Sequence, residues 1–118
     1  MIQITIPKPD VTLYKEKDPQ SSHTYGFTDF HRITREEGGI FLFYNDKDEL
    51  LFVGKARKLR PRIKKHFEDA SSVMKNHRSE VAKIEVCLIG EPVDREIYET
   101  YIINQLKAKY NIEKVFYK

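Results

Sequence analysis

A single cysteine in 118 residues rules out an internal disulfide, and a lone thiol is a poor start for a zinc site. Cys87 falls in the run Ile84-Glu85-Val86-Cys87-Leu88-Ile89, where its expected role is that of a small buried hydrophobe. No apolar run approaches the ~20 residues that a membrane span requires. The opening MIQITIPKPD lacks a basic segment followed by an apolar core, so a soluble, cytoplasmic protein with no membrane partner is expected. Also missing are a glycine loop ending in GK[ST], an HExxH helix, paired CxxC motifs and a GxSxG elbow. There is no internal repeat and no low-complexity segment. The length fits one domain, and such a domain buries roughly two thirds of the surface of its unfolded chain.

What is present is concentrated in residues 39–67, GIFLFYNDKDELLFVGKARKLRPRIKKHF. Two aromatic and β-branched runs, Ile40-Phe41-Leu42-Phe43-Tyr44 and Glu49-Leu50-Leu51-Phe52-Val53, flank Asn45-Asp46-Lys47-Asp48 and predict a β-hairpin. After Gly54 the period changes. Leu59, Ile63 and Phe67 recur four apart, on one face of a helix. Residues 55–65 hold seven basic side chains, Lys55, Arg57, Lys58, Arg60, Arg62, Lys64 and Lys65, and no acid, in a chain whose net charge is only +3. The remainder therefore carries −4, and a basic face on an acidic body attracts polyanions, nucleic acid above all. Basicity alone is equally consistent with a solvated helix face.

Elsewhere, residues 2–6 alternate like a strand that Pro7 and Pro9 end. Pro19, Ser21, Ser22 and Gly26 punctuate a mixed polar segment, so residues 1–37 read as an N-terminal arm lying on a domain that spans residues 38–118. Beyond the basic helix, Ser71 or Ser72 is a suitable N-cap, and Val73, His77 and Val81 predict a second short helix. A third strand follows over residues 83–89. Pro92 then opens a long helix to about residue 109, with Asn111 placed for a left-handed C-terminal cap and a short extended tail after it. The order strand, strand, helix, helix, strand, helix predicts an α+β fold, a small three-stranded, mostly antiparallel sheet flanked by helices.

Glu99 breaks the pattern of the last helix. It lies roughly 20° from Leu106 and roughly 40° from Ile103 around the axis, beside Tyr98 and Ile102. A carboxylate in an apolar sector has to meet a cation, a metal or a hydrogen-bond donor, and a lysine or arginine of the first helix is as good a partner as a functional one. Arg62 and His66, one turn apart, form a sensible pair for a phosphodiester: guanidinium grips non-bridging oxygens, and imidazole moves a proton. Asp46 and Asp48 lack the glycine and the distant glutamate of a calcium loop and read as turn residues. His23, His31 and His77 have no useful spacing.

Gly39-Ile40-Phe41, then ten residues, then Phe52-Val53-Gly54-Lys55-Ala56, with Leu59-Arg60-Pro61-Arg62, Glu99 and Lys109-Tyr110-Asn111 in that order, resembles the GIY-YIG nuclease domain, in particular the N-terminal incision domain of the excision-repair nuclease UvrC. The likeness runs from about residue 38 to 112. It implies a DNA endonuclease working with one divalent ion, Mg²⁺ or Mn²⁺, in repair or in processing unusual DNA structures. By resemblance Glu99 is the metal ligand, Arg62 steadies the scissile phosphate, His66 falls where members carry histidine or tyrosine, and Lys55 and Asn111 match motif positions. Arg57, Lys58, Arg60, Lys64 and Lys65 would carry DNA binding. Phe41 and Phe52 stand where the motif has its two tyrosines. Phenylalanine keeps the ring but not the proton, so a catalytically impaired, nucleic-acid-binding module is the competing expectation. Tyr44 should face away from Phe41, so the expected activator of the water is His66, or else the metal ion alone through the lowered pKa of its bound water.

Overall fold

The computed structural model describes residues 2–16 and 25–117; Pro19, Ser21, Ser22 and His23 lie outside them. The elements run β1 (Val11–Tyr14), β2 (Gly39–Tyr44), β3 (Leu50–Ala56), α1 (Leu59–Glu68), β4 (Lys83–Leu88) and α2 (Pro92–Leu106). The sheet is antiparallel in the order β1-β4-β2-β3.

Among the described residues it has four strands where three were expected, and the extra one comes from the arm. Residues 2–6 form no strand. The place beside β4 is taken by Val11–Tyr14, locked at its start by Asp10, whose amide donates to the Val86 carbonyl and whose carboxylate accepts from the Leu88 amide. Prolines 7 and 9 separate the better-alternating run from the sheet.

The hairpin forms as its pattern suggests. Asn45 Oδ1 accepts from the amides of Lys47 and Glu49, and Asp48 adopts φ 58°, so these are turn residues. The register shifts opposite Phe43 and Tyr44. This bulge points Leu51 and Phe52 to one side of the sheet and Leu50 and Val53 to the other. One side carries α1, packed on Phe41, Phe43 and Phe52, together with Leu13, Phe27, Phe30 and Ile33 from the arm. The other carries α2, packed on Ile40, Leu42 and Val53. Phe27 and Phe30 each lie 5.7 Å, ring to ring, from Phe67 at the end of α1. Tyr44 packs on the α2 side, opposite Phe41, and Cys87 is buried there with its thiol pKa pushed up to about 11 by desolvation.

The expected helix after α1 is instead a series of tight turns ending in a single 3-10 turn, Arg78–Glu80. Asp69 and Ser72 side chains take the backbone amides of Ser71 and Met74, and the backbone bonds there span three residues. The buried residues are Met74, Arg78 and Val81, not the Val73, His77 and Val81 set. Arg78 caps α1 from outside, donating to the carbonyls of His66 and Asp69 and so satisfying acceptors that the helix end leaves open. α2 also ends earlier than expected: Lys107, at φ 54°, is the left-handed cap in place of Asn111. No described helix is long and apolar enough to cross a membrane.

Two glycines are fixed by close approach. Phe41 pairs across the hairpin with Gly54, and a Cβ on Gly54 would come 2.3 Å from the Phe41 ring. A Cβ on Gly39 would come 1.9 Å from the Cys87 carbonyl oxygen. The ring at position 41 thus lies on the bare backbone of the second motif. Gly54→Ala is expected to lower stability by about 1–3 kcal/mol through overpacking, measured by urea denaturation; an unchanged midpoint would show that the ring moves aside freely.

Candidate active site

β3 is an edge strand, and the candidate residues gather around it from both faces of the sheet. From the α1 side come Arg62 and His66. The His66 ring sits 4.9 Å from Phe52, 5.4 Å from Phe41 and 5.8 Å from Phe43, centre to centre. Both motif-tyrosine positions therefore border the histidine, as rings without hydroxyls. Nδ1 of His66 is 2.8 Å from Ser72 Oγ. Burial first, then the nearby charges of Arg62 and Arg78, push the His66 pKa down to about 4, so the imidazole is neutral at pH 7.

From the α2 side comes Glu99, its side chain 10% exposed. Its partner is Lys114, from the segment after α2, rather than a cation of the first helix. Lys114 Nζ lies 2.6 Å from Glu99 Oε1 and 2.7 Å from Glu96 Oε2. Glu96 in turn binds Lys55 Nζ at 2.9 Å. Desolvation opposes the Lys114 charge, but its hydrogen bonds to Glu96 and Glu99 outweigh it and hold its pKa above the ordinary lysine value. The Glu96 carboxyl is held below its usual value by the hydrogen bonds from Lys114 and then Lys55.

The two sides meet. A cleft of about 510 Å³ is lined by Arg62, Lys55, Arg57 and Arg95. A neighbouring one is lined by Glu99, Lys114, Phe52, Val53 and Asn111, and the ion pairs from Lys55 through Glu96 and Lys114 to Glu99 connect them. Val73 borders both the Glu99 cleft and a third that holds Arg62 and His66.

Not every candidate is free to bind. Arg57, Lys58, Arg62 and Lys65 are exposed and share a groove, and Lys64 is half-buried beside them on α1. Arg60 is spent on the fold, donating to the carbonyls of Ile33 and His31. Asn111 is spent on β3: its Oδ1 accepts from the Val53 amide and its Nδ2 donates to the Val53 carbonyl, both at 2.9 Å. Sequence alone does not mark Glu96, Lys114 or Arg78 as site residues, and it offers Ser72 only as an N-cap. Glu96 lies three residues before Glu99, on the same helix face, and that spacing becomes a usable signal once Glu99 is singled out; nothing local marks Lys114 or Arg78.

Among the described residues no set of three or more His, Cys, Asp and Glu side chains could hold a metal ion, so a cation here would rely on few protein ligands. The position suits one, since a positive centre already lies between two carboxylates, and Mg²⁺ characteristically binds through one or two carboxylates and retains waters.

The hairpin and the two helices on opposite faces of the sheet are the architecture of the GIY-YIG class. The chain belongs to the family of UvrC-like GIY-YIG domains, which it matches over residues 37–112. It is 60% identical to the uncharacterized protein YurQ of Bacillus subtilis (strain 168), over 100% of both chains. It is 33% identical to the UvrABC system protein C of Helicobacter pylori (strain G27), covering 63% of this chain and 14% of that protein. Among solved structures, the N-terminal endonuclease domain of UvrC from Thermotoga maritima bound to its catalytic divalent cation, magnesium, shares the fold at TM-score 0.62 and 21% identity, covering 71% of this chain and 97% of that one. A point mutant of the same domain, also bound to the catalytic cation, matches at TM-score 0.62 and 22% identity, over 72% of this chain and 97% of that one.

The neutral histidine has a consequence for stability. Between pH 6.5 and about 4 the unfolded chain takes up a proton at His66 that the folded chain does not. Folding stability should therefore fall as pH is lowered through that window, by up to about 3 kcal/mol. Urea denaturation at pH 7.0, 6.0 and 5.0 should show this slope in the wild type and a smaller one in His66→Phe; equal slopes would contradict the assignment.

Proposed function

We propose that this protein is a metal-dependent DNA endonuclease that hydrolyses phosphodiester bonds, in repair or in the processing of unusual DNA structures in the cytoplasm. Its nuclease unit spans residues 38–118, with residues 1–37 as an N-terminal arm whose described part packs on it. The observation that supports this is that Arg62 and His66 on the α1 side of one edge strand and Glu99 on the α2 side line separate clefts that both border Val73.

The exposed groove of Arg57, Lys58, Arg62 and Lys65 receives the phosphate backbone, with Lys64 alongside and Lys55 at its inner end. Arg62 grips the non-bridging oxygens of the scissile phosphate through two parallel N–H bonds. Glu99 supplies the carboxylate for a divalent cation, which when bound lowers the pKa of water and offsets charge on the phosphate. His66 takes a proton from the attacking water at Nε2. That requires the tautomer protonated on Nδ1, whose N–H donates to Ser72 Oγ; Ser72 Oγ accepts from the Met74 amide as well, and a hydroxyl oxygen can accept twice. The water oxygen bonds to phosphorus, the P–O ester bond breaks, and the leaving oxygen is protonated from solvent. Phe41 and Phe52 shield the imidazole but exchange no proton. Arg60 and Asn111 contribute by holding α1 and β3 in place rather than by touching DNA.

Supercoiled plasmid should be nicked in Mg²⁺ or Mn²⁺ by the wild type and left at background by Glu99→Ala, with Arg62→Ala slower by at least about 100-fold. Equal nicking by wild type and Glu99→Ala would refute the assignment.

The two absent hydroxyls favour a second reading, a DNA-binding module that has lost its chemistry. It predicts salt-sensitive binding without cleavage, and a large gain in nicking for the Phe41→Tyr/Phe52→Tyr double variant. Cleavage by the wild type would exclude it.

A further inference from the structure

Lys114 is the member of the charge cluster for which hydrolysis has no use. Its backbone takes φ 63°, a left-handed conformation that a residue with a Cβ avoids unless its surroundings impose it. The imposition is visible. Asn104 Nδ2 donates to the Lys114 carbonyl at 2.7 Å, and Asn104 Oδ1 accepts from the Phe116 amide, while Val115 packs on the core beneath α2. The segment after α2 is thus pinned on both sides of Lys114, and the pinning lays its side chain across two carboxylates.

We propose, resting on Glu99 as the cation ligand, that Lys114 is the resident cation of this site and sets its affinity for divalent metal. A metal ion gains Glu99 only as the Lys114 ammonium leaves Oε1, and Glu96 is the carboxylate that retains the ammonium when it does. Charge and exposure both lead to this. Lys55, Glu96, Lys114 and Glu99 form a neutral chain of ion pairs. A divalent ion added at Glu99 with Lys114 still in contact would place two positive centres on one carboxylate that is only 10% exposed, where water screens their repulsion poorly. The way out for the ammonium is towards solvent, because the Glu96 side chain is 45% exposed against 10% for Glu99, and Glu96 already binds it.

The test is Mn²⁺ titration of the full chain, with free ion followed by electron paramagnetic resonance. Lys114→Met keeps the aliphatic stem and removes the charge, and should bind Mn²⁺ about tenfold tighter than the wild type. Lys55→Met is the comparison for a general field effect, because Lys55 contacts Glu96 and has no ion pair with Glu99; its gain should be smaller. Adding Glu99→Gln to Lys114→Met should abolish the tight site. The proposal is overturned if Lys114→Met binds no tighter than the wild type or than Lys55→Met, if neither protein binds the ion, or if tight binding survives Glu99→Gln. In the wild type itself, acetylation of Lys114 by an activated ester, read by mass spectrometry, should accelerate on adding Mn²⁺, and an unchanged rate counts against the proposal even where the variants fold poorly. Plasmid nicking is scored separately. Tighter Mn²⁺ binding with no nicking would leave the proposal standing and remove the nuclease assignment, whereas nicking with equal Mn²⁺ affinities would do the reverse.

Discussion

The outer edge of β3 has amides and carbonyls with no further strand to bond among the described residues, and the way this chain closes that edge fixes most of its candidate site. The amides of Lys109 and Tyr110 donate to the carbonyls of Leu50 and Leu51. One residue on, the Asn111 side chain takes over, using its amide group as a substitute for a strand residue opposite Val53. An exposed edge invites pairing with other chains, so this cover protects the fold. It also stops before Gly54 and Lys55, leaving that part of the strand beside the Arg62 cleft.

Because residues 109–111 are tied to β3, the segment after α2 cannot wander. Lys107 turns the chain off the helix in a left-handed conformation, Ala108 is buried on the α2 side, and the residues that follow return along α2 to bring Lys114 onto Glu99. On the opposite face, α1 is positioned by the arm. Thr34 and Glu37 carbonyls accept from the first amides of α1, and the aromatic side chains of Phe27 and Phe30 meet Phe67 at its far end. Arg62 and His66 are therefore placed by a part of the chain outside the motif, and Glu99 is held by another. The sheet between them supplies the distance.

Local periodicity was enough to read the hairpin, α1, β4 and α2, because each has an apolar face of its own to bury. It also marked Glu99, whose position on the buried side of α2 could be derived from the helical repeat alone, and it placed Tyr44 opposite Phe41. What it could not supply were pairings decided at long range. Residues 2–6 alternate better than Val11–Tyr14, but membership of the sheet went to the segment that Asp10 anchors to β4. The serines after α1 look like helix caps, yet Ser72 accepts the Met74 amide in a turn and Ser71 donates its amide and hydroxyl to the Asp69 carboxylate. Lys114 sits in a short tail with no periodicity, and its partner is fifteen residues away, so the cation that answers Glu99 was visible only in three dimensions. Arg78 and Arg95 are likewise charged residues that the fold buries by giving their guanidinium groups backbone carbonyls.

The candidate chemistry depends on a cation position against the Glu99 carboxylate beside β3. Crystals grown with Mn²⁺ and measured at the manganese absorption edge test it directly. The expected result is an anomalous peak against the Glu99 carboxylate, with Lys114 withdrawn to Glu96. Manganese bound elsewhere, with Lys114 still seated on Glu99, would contradict it.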